Sequence, residues 1–291
     1  MKKILLLSSL LFAIPIIAQS YLSYDAERRV PFQNAAIYAR DEYHWFIKNT
    51  GQPSRLFLNG VYQSQEGGPS DLNMLAAWSI QPNATGVKVA IVDLNTAHGQ
   101  RMVECVRLIA PGANVNLVPI SRYYPDAVAI GINTAVAEGN QIIVIATGFA
   151  SPETLVLVAI QSATNCVFVC SVPNADQNID VQPDYPTSWN LTNVLGVTST
   201  DRTGNLDYGY AAWGTNVVAA PGRNIVANGT YSTGTSYAAP ITAGTVALLA
   251  AKKPGRLTSF YVQHIRKWTT PITLSRRIEP YQMLLNLRTK E

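Results

Sequence analysis

The residues of this chain best suited to chemistry begin at Ser232, where small polar residues lead into an Ala/Leu/Val run that reaches Ala250. Proline is tolerated in the first turn of a helix and disrupts later turns, so Pro240 predicts a helix that begins close to Ser236. A serine there faces free backbone N–H groups and the positive end of the helix dipole, which stabilise developing negative charge. Ser236 is therefore either an ordinary helix N-cap or a nucleophile, and its immediate neighbours leave both roles open.

The residues around Ser236 favour its role as a nucleophile. Gly234-Thr-Ser-Tyr-Ala-Ala-Pro240, followed by Ala243-Gly244, resembles the nucleophile motif of the subtilisin-like serine peptidases, or subtilases. The resemblance implies two further segments upstream, an Asp at the end of a buried strand and a His-Gly pair at the start of a helix. Both segments are present, and the order Asp, His, Ser is that of subtilisin.

The upstream segments are Val87–Asp93, an apolar run that ends in a carboxylate, and His98-Gly99. The resemblance implies a catalytic triad of Asp93, His98 and Ser236. In such a triad Ser236 attacks a carbonyl, His98 takes its proton and later gives it to the leaving group, and Asp93 orients the imidazole.

Apolar patterning predicts an α/β fold with a doubly wound parallel sheet, the three-layer sandwich of subtilases. Residues 87–92 form a nearly continuous apolar run, as expected for a parallel strand covered on both faces. From His98 the pattern changes to a helical stripe. Further predicted strands at 115–120, 141–147, 166–172 and 194–198 alternate with predicted helices at 125–138 and 151–164, which indicates right-handed crossovers.

Functional sites in such sheets lie beyond the carboxyl ends of the strands. Asp93, Gly148 and Asn174 each follow a predicted strand, whereas His98 and Ser236 each begin a helix. We therefore expect these five positions, distant in sequence, to converge on one edge of the sheet.

The resemblance also implies how substrate is bound. Asn174 matches the family's amide donor to the oxyanion, with the backbone N–H of Ser236 as the second donor. Pro173 replaces the usual glycine before that asparagine and removes an N–H. The segment Ala146-Thr147-Gly148 matches the stretch that pairs with extended substrate by β-addition. The stretches 45–52 and 71–78 resemble the entry of kexin-type and related bacterial subtilases.

The chain departs from the family between Asp93 and His98. Only four residues separate them, where the family has a second strand and a loop that commonly carries calcium ligands. We therefore expect no metal site there and no cofactor. Five residue steps span up to roughly 17 Å, so the two side chains can still meet, and Asn95-Thr-Ala97 suit a tight turn. The region after Ile120 is short, which predicts a reduced wall of the substrate cleft.

The N-terminus predicts export. Residues 1–18 have a basic start and a short apolar stretch, which is typical of a secretory signal peptide and of a secreted or periplasmic protein. Residues 19–42 are expected to be a lead-in arm too short for a usual pro-domain, and 43–291 to be a single peptidase domain. No other segment approaches 18 apolar residues, so no membrane span is expected.

The composition and net charge of the chain limit the kinds of partner that we expect it to bind. The chain has 291 residues, of which 47% are hydrophobic and 14% charged, which indicates a large buried core. The net charge of +4 falls to about +2 without the two leader lysines, too little to favour nucleic acid. Cys166 and Cys170 lie roughly 13 Å apart on one predicted strand, beyond disulfide distance. With Cys105, all three are expected to be free and mostly buried.

These observations predict a secreted serine endopeptidase that acts on protein or peptide substrates, and they carry no signal for the oligomeric state. One alternative is a catalytically inactive subtilase fold used as a binding or scaffold protein, which the short Asp93–His98 link favours. Retention of Asp93, His98, Asn174 and Ser236 favours the peptidase. A hydrolase of non-peptide esters is the third hypothesis.

Overall fold

The structure is a computed structural model that describes residues 44–47, 49, 54–58, 61–65, 71–207, 209–272, 275–278 and 280–285. The predicted signal peptide at 1–18 and lead-in arm at 19–42 lie outside the described residues. Among the residues described, no helix is both long enough and apolar enough to cross a membrane.

Strands and helices alternate through the middle of the chain. The strands are β1 (Ser54–Leu58), β2 (Val61–Gln65), β3 (Lys88–Leu94), β4 (Asn114–Ile120), β5 (Ile142–Ile145), β6 (Val167–Ser171), β7 (Val194–Thr200), β8 (Val217–Pro221), β9 (Ile225–Ala227), β10 (Thr230–Ser232), β11 (Thr269–Ile272) and β12 (Ser275–Ile278). The helices are α1 (Met74–Ile80), α2 (Ala97–Ile109), α3 (Pro125–Ala137), α4 (Thr154–Ser162), α5 (Thr235–Lys252), α6 (Thr258–Lys267) and α7 (Pro280–Leu285).

One eight-stranded sheet forms the centre of the described part, in the order β11-β12-β8-β7-β6-β5-β3-β4. All neighbouring pairs are parallel except β11 with β12, which is antiparallel. The predicted parallel sheet is therefore confirmed. Two small antiparallel hairpins, β1–β2 and β9–β10, lie outside this sheet.

The sheet is covered on both faces, which makes three layers. Alternate residues of β3 enter different cores, because side chains on a strand point to opposite faces in turn. Val89 and Ile91 pack with α2 and α5, whereas Ala90 and Val92 pack with α3 and α4. Burial on both faces is the physical reason why the inner strands β3, β5 and β6 are nearly continuous apolar runs.

The structure tests two sequence predictions, one for the cysteines and one for Pro240. Cys105, Cys166 and Cys170 are free and buried, as predicted. Helix α5 begins at Thr235, close to Ser236, but Pro240 lies inside the helix rather than in its first turn. The prediction for Pro240 was wrong in that respect. Proline lacks an N–H, so the carbonyl of Ser236 receives no bond from the position four residues later.

Candidate active site

The candidate active site lies where the chain passes from β3 to α2. Asp93 is the sixth residue of β3 and is 1% exposed. The chain turns at once, with the N–H of Thr96 donating to the carbonyl of Leu94 at 2.8 Å, and α2 begins at Ala97. Four intervening residues are therefore enough to bring His98 back to Asp93.

Gly99 explains why this short turn can pack. A Cβ at that position would lie 2.8 Å from the carbonyl oxygen of Leu94 and 2.9 Å from Cδ1 of Leu117. Both distances are shorter than real Cβ contacts, so a larger residue would push the first turn of α2 away from the strands. The glycine after His98 thus has a packing reason of its own.

Asp93 and His98 are in hydrogen-bond contact. Oδ2 of Asp93 lies 2.6 Å from Nδ1 of His98, and Oδ1 accepts a bond from the backbone N–H of Leu94 at 2.6 Å. The other ring nitrogen, Nε2, lies 2.9 Å from Oγ of Ser236, across 138 residues of sequence. The structure therefore places the carboxylate, imidazole and hydroxyl in one continuous chain of contacts.

Ser236 lies in the first turn of α5, and Gly234 shapes the approach to that turn. Gly234 precedes the helix with φ of 152°, a conformation that favours glycine. A Cβ there would lie 3.2 Å from the amide oxygen of Asn174 and 3.4 Å from Oγ of Ser236. Because α2 and α5 are neighbours on one face of the sheet, their starting turns present His98 and Ser236 to the same space.

Asn174 is held beside this turn by its amide oxygen. Oδ1 accepts bonds from the backbone N–H of Thr235 at 2.9 Å and from its hydroxyl at 3.1 Å. Asn174 is exposed and its oxygen accepts both of these bonds, and the Nδ2 group of the same amide is a hydrogen-bond donor. Pro173 fits this loop because it contributes a carbonyl, which accepts from the N–H of Ala212 at 2.9 Å.

The predicted substrate segment 146–148 directly follows β5, next to β3 and β6. Gly148 is exposed, and the following residue, Phe149, exchanges backbone hydrogen bonds with Tyr185 at 2.8 and 2.9 Å. The carboxylate of Asp184 packs against Gly148 so closely that any Cβ there would overlap it. The structure thus brings a buried acid against the stretch that sequence analysis assigned to substrate.

Asp184 was missed by sequence analysis. It is 5% exposed, and burial raises the pKa of its carboxyl to about 7, only partly opposed by a hydroxyl contact from Thr187 at 3.4 Å. No cation faces this carboxylate among the residues that the structure describes. The same polar stretch also carries Asp176 and Asp180, so no local signal in the sequence distinguished Asp184 from its acidic neighbours.

Two tyrosines were also missed. The hydroxyl of Tyr123, in the loop between β4 and α3, donates to Oδ1 of Asp93. The ring of Tyr237 lies edge-on to His98, with 5.5 Å between ring centroids, and its hydroxyl accepts from Nε of Arg101 at 3.3 Å. The position of Tyr237 beside Ser236 could have suggested a role, but the loop of Tyr123 was noted only as short.

No metal centre can be assigned within the described ranges. No group of three or more His, Cys, Asp or Glu side chains there is arranged to hold a metal ion.

Comparisons with known proteins bear on the family and the fold of the chain. The family model for the subtilase family, Peptidase_S8, matches residues 85–282. A protease from Pseudoalteromonas arctica has a similar structure, with a TM-score of 0.65 and 20% identity over 76% of this chain and 94% of that one. No match is found among curated proteins.

Two further solved structures are similar in fold. The nisin leader peptidase NisP from Lactococcus lactis aligns with a TM-score of 0.61 and 16% identity, over 72% of this chain and 90% of that one. The epidermin leader peptide processing serine protease EpiP from Staphylococcus aureus aligns with a TM-score of 0.61 and 19% identity, over 74% and 78%. The family match covers more than half of the chain, and the solved structures share its fold. The chain therefore belongs to the subtilase family of serine proteases.

Proposed function

We propose that this protein is an extracytoplasmic serine endopeptidase whose triad is Asp93, His98 and Ser236. The observation that carries the proposal is the unbroken contact chain, 2.6 Å from Asp93 to His98 and 2.9 Å from His98 to Ser236. Both distances are within the range needed for proton transfer and for orientation of the base. The extracytoplasmic location rests on the signal-like sequence of residues 1–18.

In the proposed reaction, Oγ of Ser236 attacks the scissile carbonyl while Nε2 of His98 takes its proton. Asp93 holds the ring so that Nδ1 carries the other proton, and it stabilises the imidazolium that forms. The imidazolium then protonates the leaving amine. Water next attacks the acyl-enzyme while His98 takes its proton, and His98 gives that proton to Oγ of Ser236 as the bond to the acyl group breaks. Nδ2 of Asn174 and the backbone N–H of Ser236 are the proposed donors to the oxyanion.

The proposed substrate is an extended peptide lying along 146–148. Asp184 adds a charge preference to this proposal, because its buried carboxylate meets Gly148 and lacks a cation among the described residues. A lysine or arginine side chain that reached Asp184 would supply the missing counter-charge, and charge-assisted bonds are stronger than neutral ones. We therefore propose substrates with a basic side chain close to the scissile bond.

The proposal is tested with a fluorophosphonate probe and a quenched peptide blocked at both ends. The purified protein should label and should cleave the peptide internally, and Ser236→Ala should abolish both. Ser162→Ala, an exposed serine on α4, is the matched control and should change neither. Absence of labelling and cleavage in a folded wild-type protein would favour the alternative, an inactive subtilase fold that serves as a binding or scaffold protein.

A further inference from the structure

The loop that joins β4 to α3 reaches the proposed triad. Asp93 pairs with Pro119 and Leu94 with Ile120 in the parallel register of β3 and β4, so the two strands end side by side. Tyr123 follows only three residues after Ile120, and its hydroxyl donates to Oδ1 of Asp93. The loop thereby supplies a side-chain donor to the acid from the edge strand of the sheet.

With this contact, every oxygen of the Asp93 carboxylate is engaged. Oδ1 accepts from Tyr123 and from the backbone of Leu94, while Oδ2 faces Nδ1 of His98. A buried carboxylate that lacks donors is unfavourable, and two donors on one oxygen also fix how the group is rotated. Fixing Oδ1 leaves Oδ2 directed at the imidazole.

Tyr123 is suited to remain a donor. Burial first, and then the hydrogen bond to Asp93, raise the pKa of its phenol above the ordinary value of 10, with Tyr237 as a further contributor. The phenol therefore keeps its proton throughout the neutral range. The ring is 42% exposed, yet its hydroxyl is directed inward, onto a carboxylate that is 1% exposed.

We infer that Tyr123 is a positioning residue of the active site, which holds the Asp93 carboxylate in the rotation that orients His98. This inference rests on the proposed triad. The link between Asp93 and His98 is short, and Oδ1 of Asp93 is held by Tyr123, a residue that follows the next strand, β4. In this role Tyr123 acts through Asp93 and not directly on the substrate.

The neighbouring Tyr124 provides a matched control. It is 61% exposed, and the guanidinium of Arg122 lies 5.0 Å from its ring centroid while also binding Asp126 at 2.6 Å. Tyr124 therefore belongs to the surface of the same loop without contributing to the triad. Tyr123→Phe and Tyr124→Phe each remove one phenol oxygen. The first removes it from a contact with Asp93, and the second removes it from an exposed side chain.

The first measurement is kinetic. Tyr123→Phe should lower kcat about tenfold with KM nearly unchanged, because the lost contact concerns the base and not the substrate. The acid limb of the kcat/KM profile should move to higher pH, since a carboxylate with one donor fewer attracts the imidazolium more strongly. Tyr124→Phe should leave kcat and the profile as in the wild type. Wild-type kcat together with an unshifted acid limb in Tyr123→Phe would overturn the inference.

The second measurement does not need turnover. The ring protons of His98 are followed by NMR against pH in wild type, Tyr123→Phe and Tyr124→Phe, with thermal unfolding to verify that each is folded. The titration midpoint of His98 should rise in Tyr123→Phe alone. If the wild type proves inactive, the proposed function fails, but a shift confined to Tyr123→Phe still supports the positioning role. Equal midpoints in all three proteins would overturn it.

Discussion

Asp93 and Asp184 are both buried carboxylates near the edge of the sheet where the parallel strands end, but they differ in what surrounds them. Asp93 contacts the backbone of Leu94, the hydroxyl of Tyr123 and the imidazole of His98. Among the described residues, the carboxylate of Asp184 accepts a single hydroxyl contact, from Thr187 at 3.4 Å, and burial raises the pKa of its carboxyl to about 7.

This difference shows how one edge of a sheet can hold two acids that are suited to different roles. A carboxylate with all its acceptors engaged is fixed in orientation, which suits a residue that must align a base. A carboxylate that is buried with few donors stays unfavourable when charged, and it gains most from a ligand that brings a positive charge. The same substitution, Asp→Asn, made at each site should separate these two roles.

The largest effect is expected for Asp93→Asn on turnover. An amide at this position keeps the shape but favours the wrong imidazole tautomer, so kcat should fall by about 10⁴-fold. Asp184→Asn, assayed with a peptide lacking basic residues, should stay within about threefold of wild type. Initial rates on that peptide provide the measurement, and comparable losses in both variants would remove the proposed distinction between the two acids.

The next effect concerns stability against pH. The pKa of Asp184 is about 7 in the folded protein and ordinarily 3.8, so the folded state binds the proton more tightly. The stabilisation that comes from the proton on Asp184 is therefore full below about pH 4. It decreases as the pH rises from about 4 to 7 and is absent above about pH 7. Asp184→Asn should remove this dependence and stabilise the protein at pH 8, by at most about 4 kcal/mol.

Urea unfolding of wild type and Asp184→Asn at pH 5 and pH 8 measures this effect. The gain in free energy of unfolding should be larger at pH 8 than at pH 5. Comparing the variant with wild type at each pH cancels the titration of other groups, including Asp207, whose pKa burial also raises despite Arg223. A gain of the same size at both pH values would show that the carboxyl of Asp184 titrates normally.

The smallest effect is expected in substrate preference. For peptides that differ only in Lys or Leu beside the scissile bond, wild type should have a higher kcat/KM on the lysine peptide. Asp184→Asn should reduce that ratio by about tenfold, the value of one charge-assisted contact. Asp176→Asn, an exposed acid of the same loop, is the control and should preserve the ratio. A ratio that Asp184→Asn leaves unaltered would contradict the proposed basic preference.

Much of the fold could be predicted from sequence because its signals are local. Apolar runs and stripes located five of the seven parallel strands, β3 to β7, and the crossover helices α2 to α4, but not β8 or β12. The free, buried cysteines followed from strand spacing. The short motifs identified Asp93, His98 and Ser236 as candidates, and the structure brings their side chains together. Their catalytic roles stay predictions.

Boundaries were less predictable where local rules compete with packing. Pro240 was expected in the first turn of α5, but it lies further into the helix. That helix is buried along most of its length against the sheet and α2, so tertiary packing compensates for one missing backbone bond.

By itself, the sequence determined the order and kind of the central elements, β3 to β7 with α2 to α5, and the candidates for chemistry, since periodicity and short motifs act over a few residues. Only the tertiary structure decided which other side chains reach that chemistry. Tyr123 lies 30 residues from Asp93, and Asp184 meets Gly148 across 36 residues, both from loops that have no period. Such contacts depend on strand register and on the space that glycines leave open, which no local pattern records.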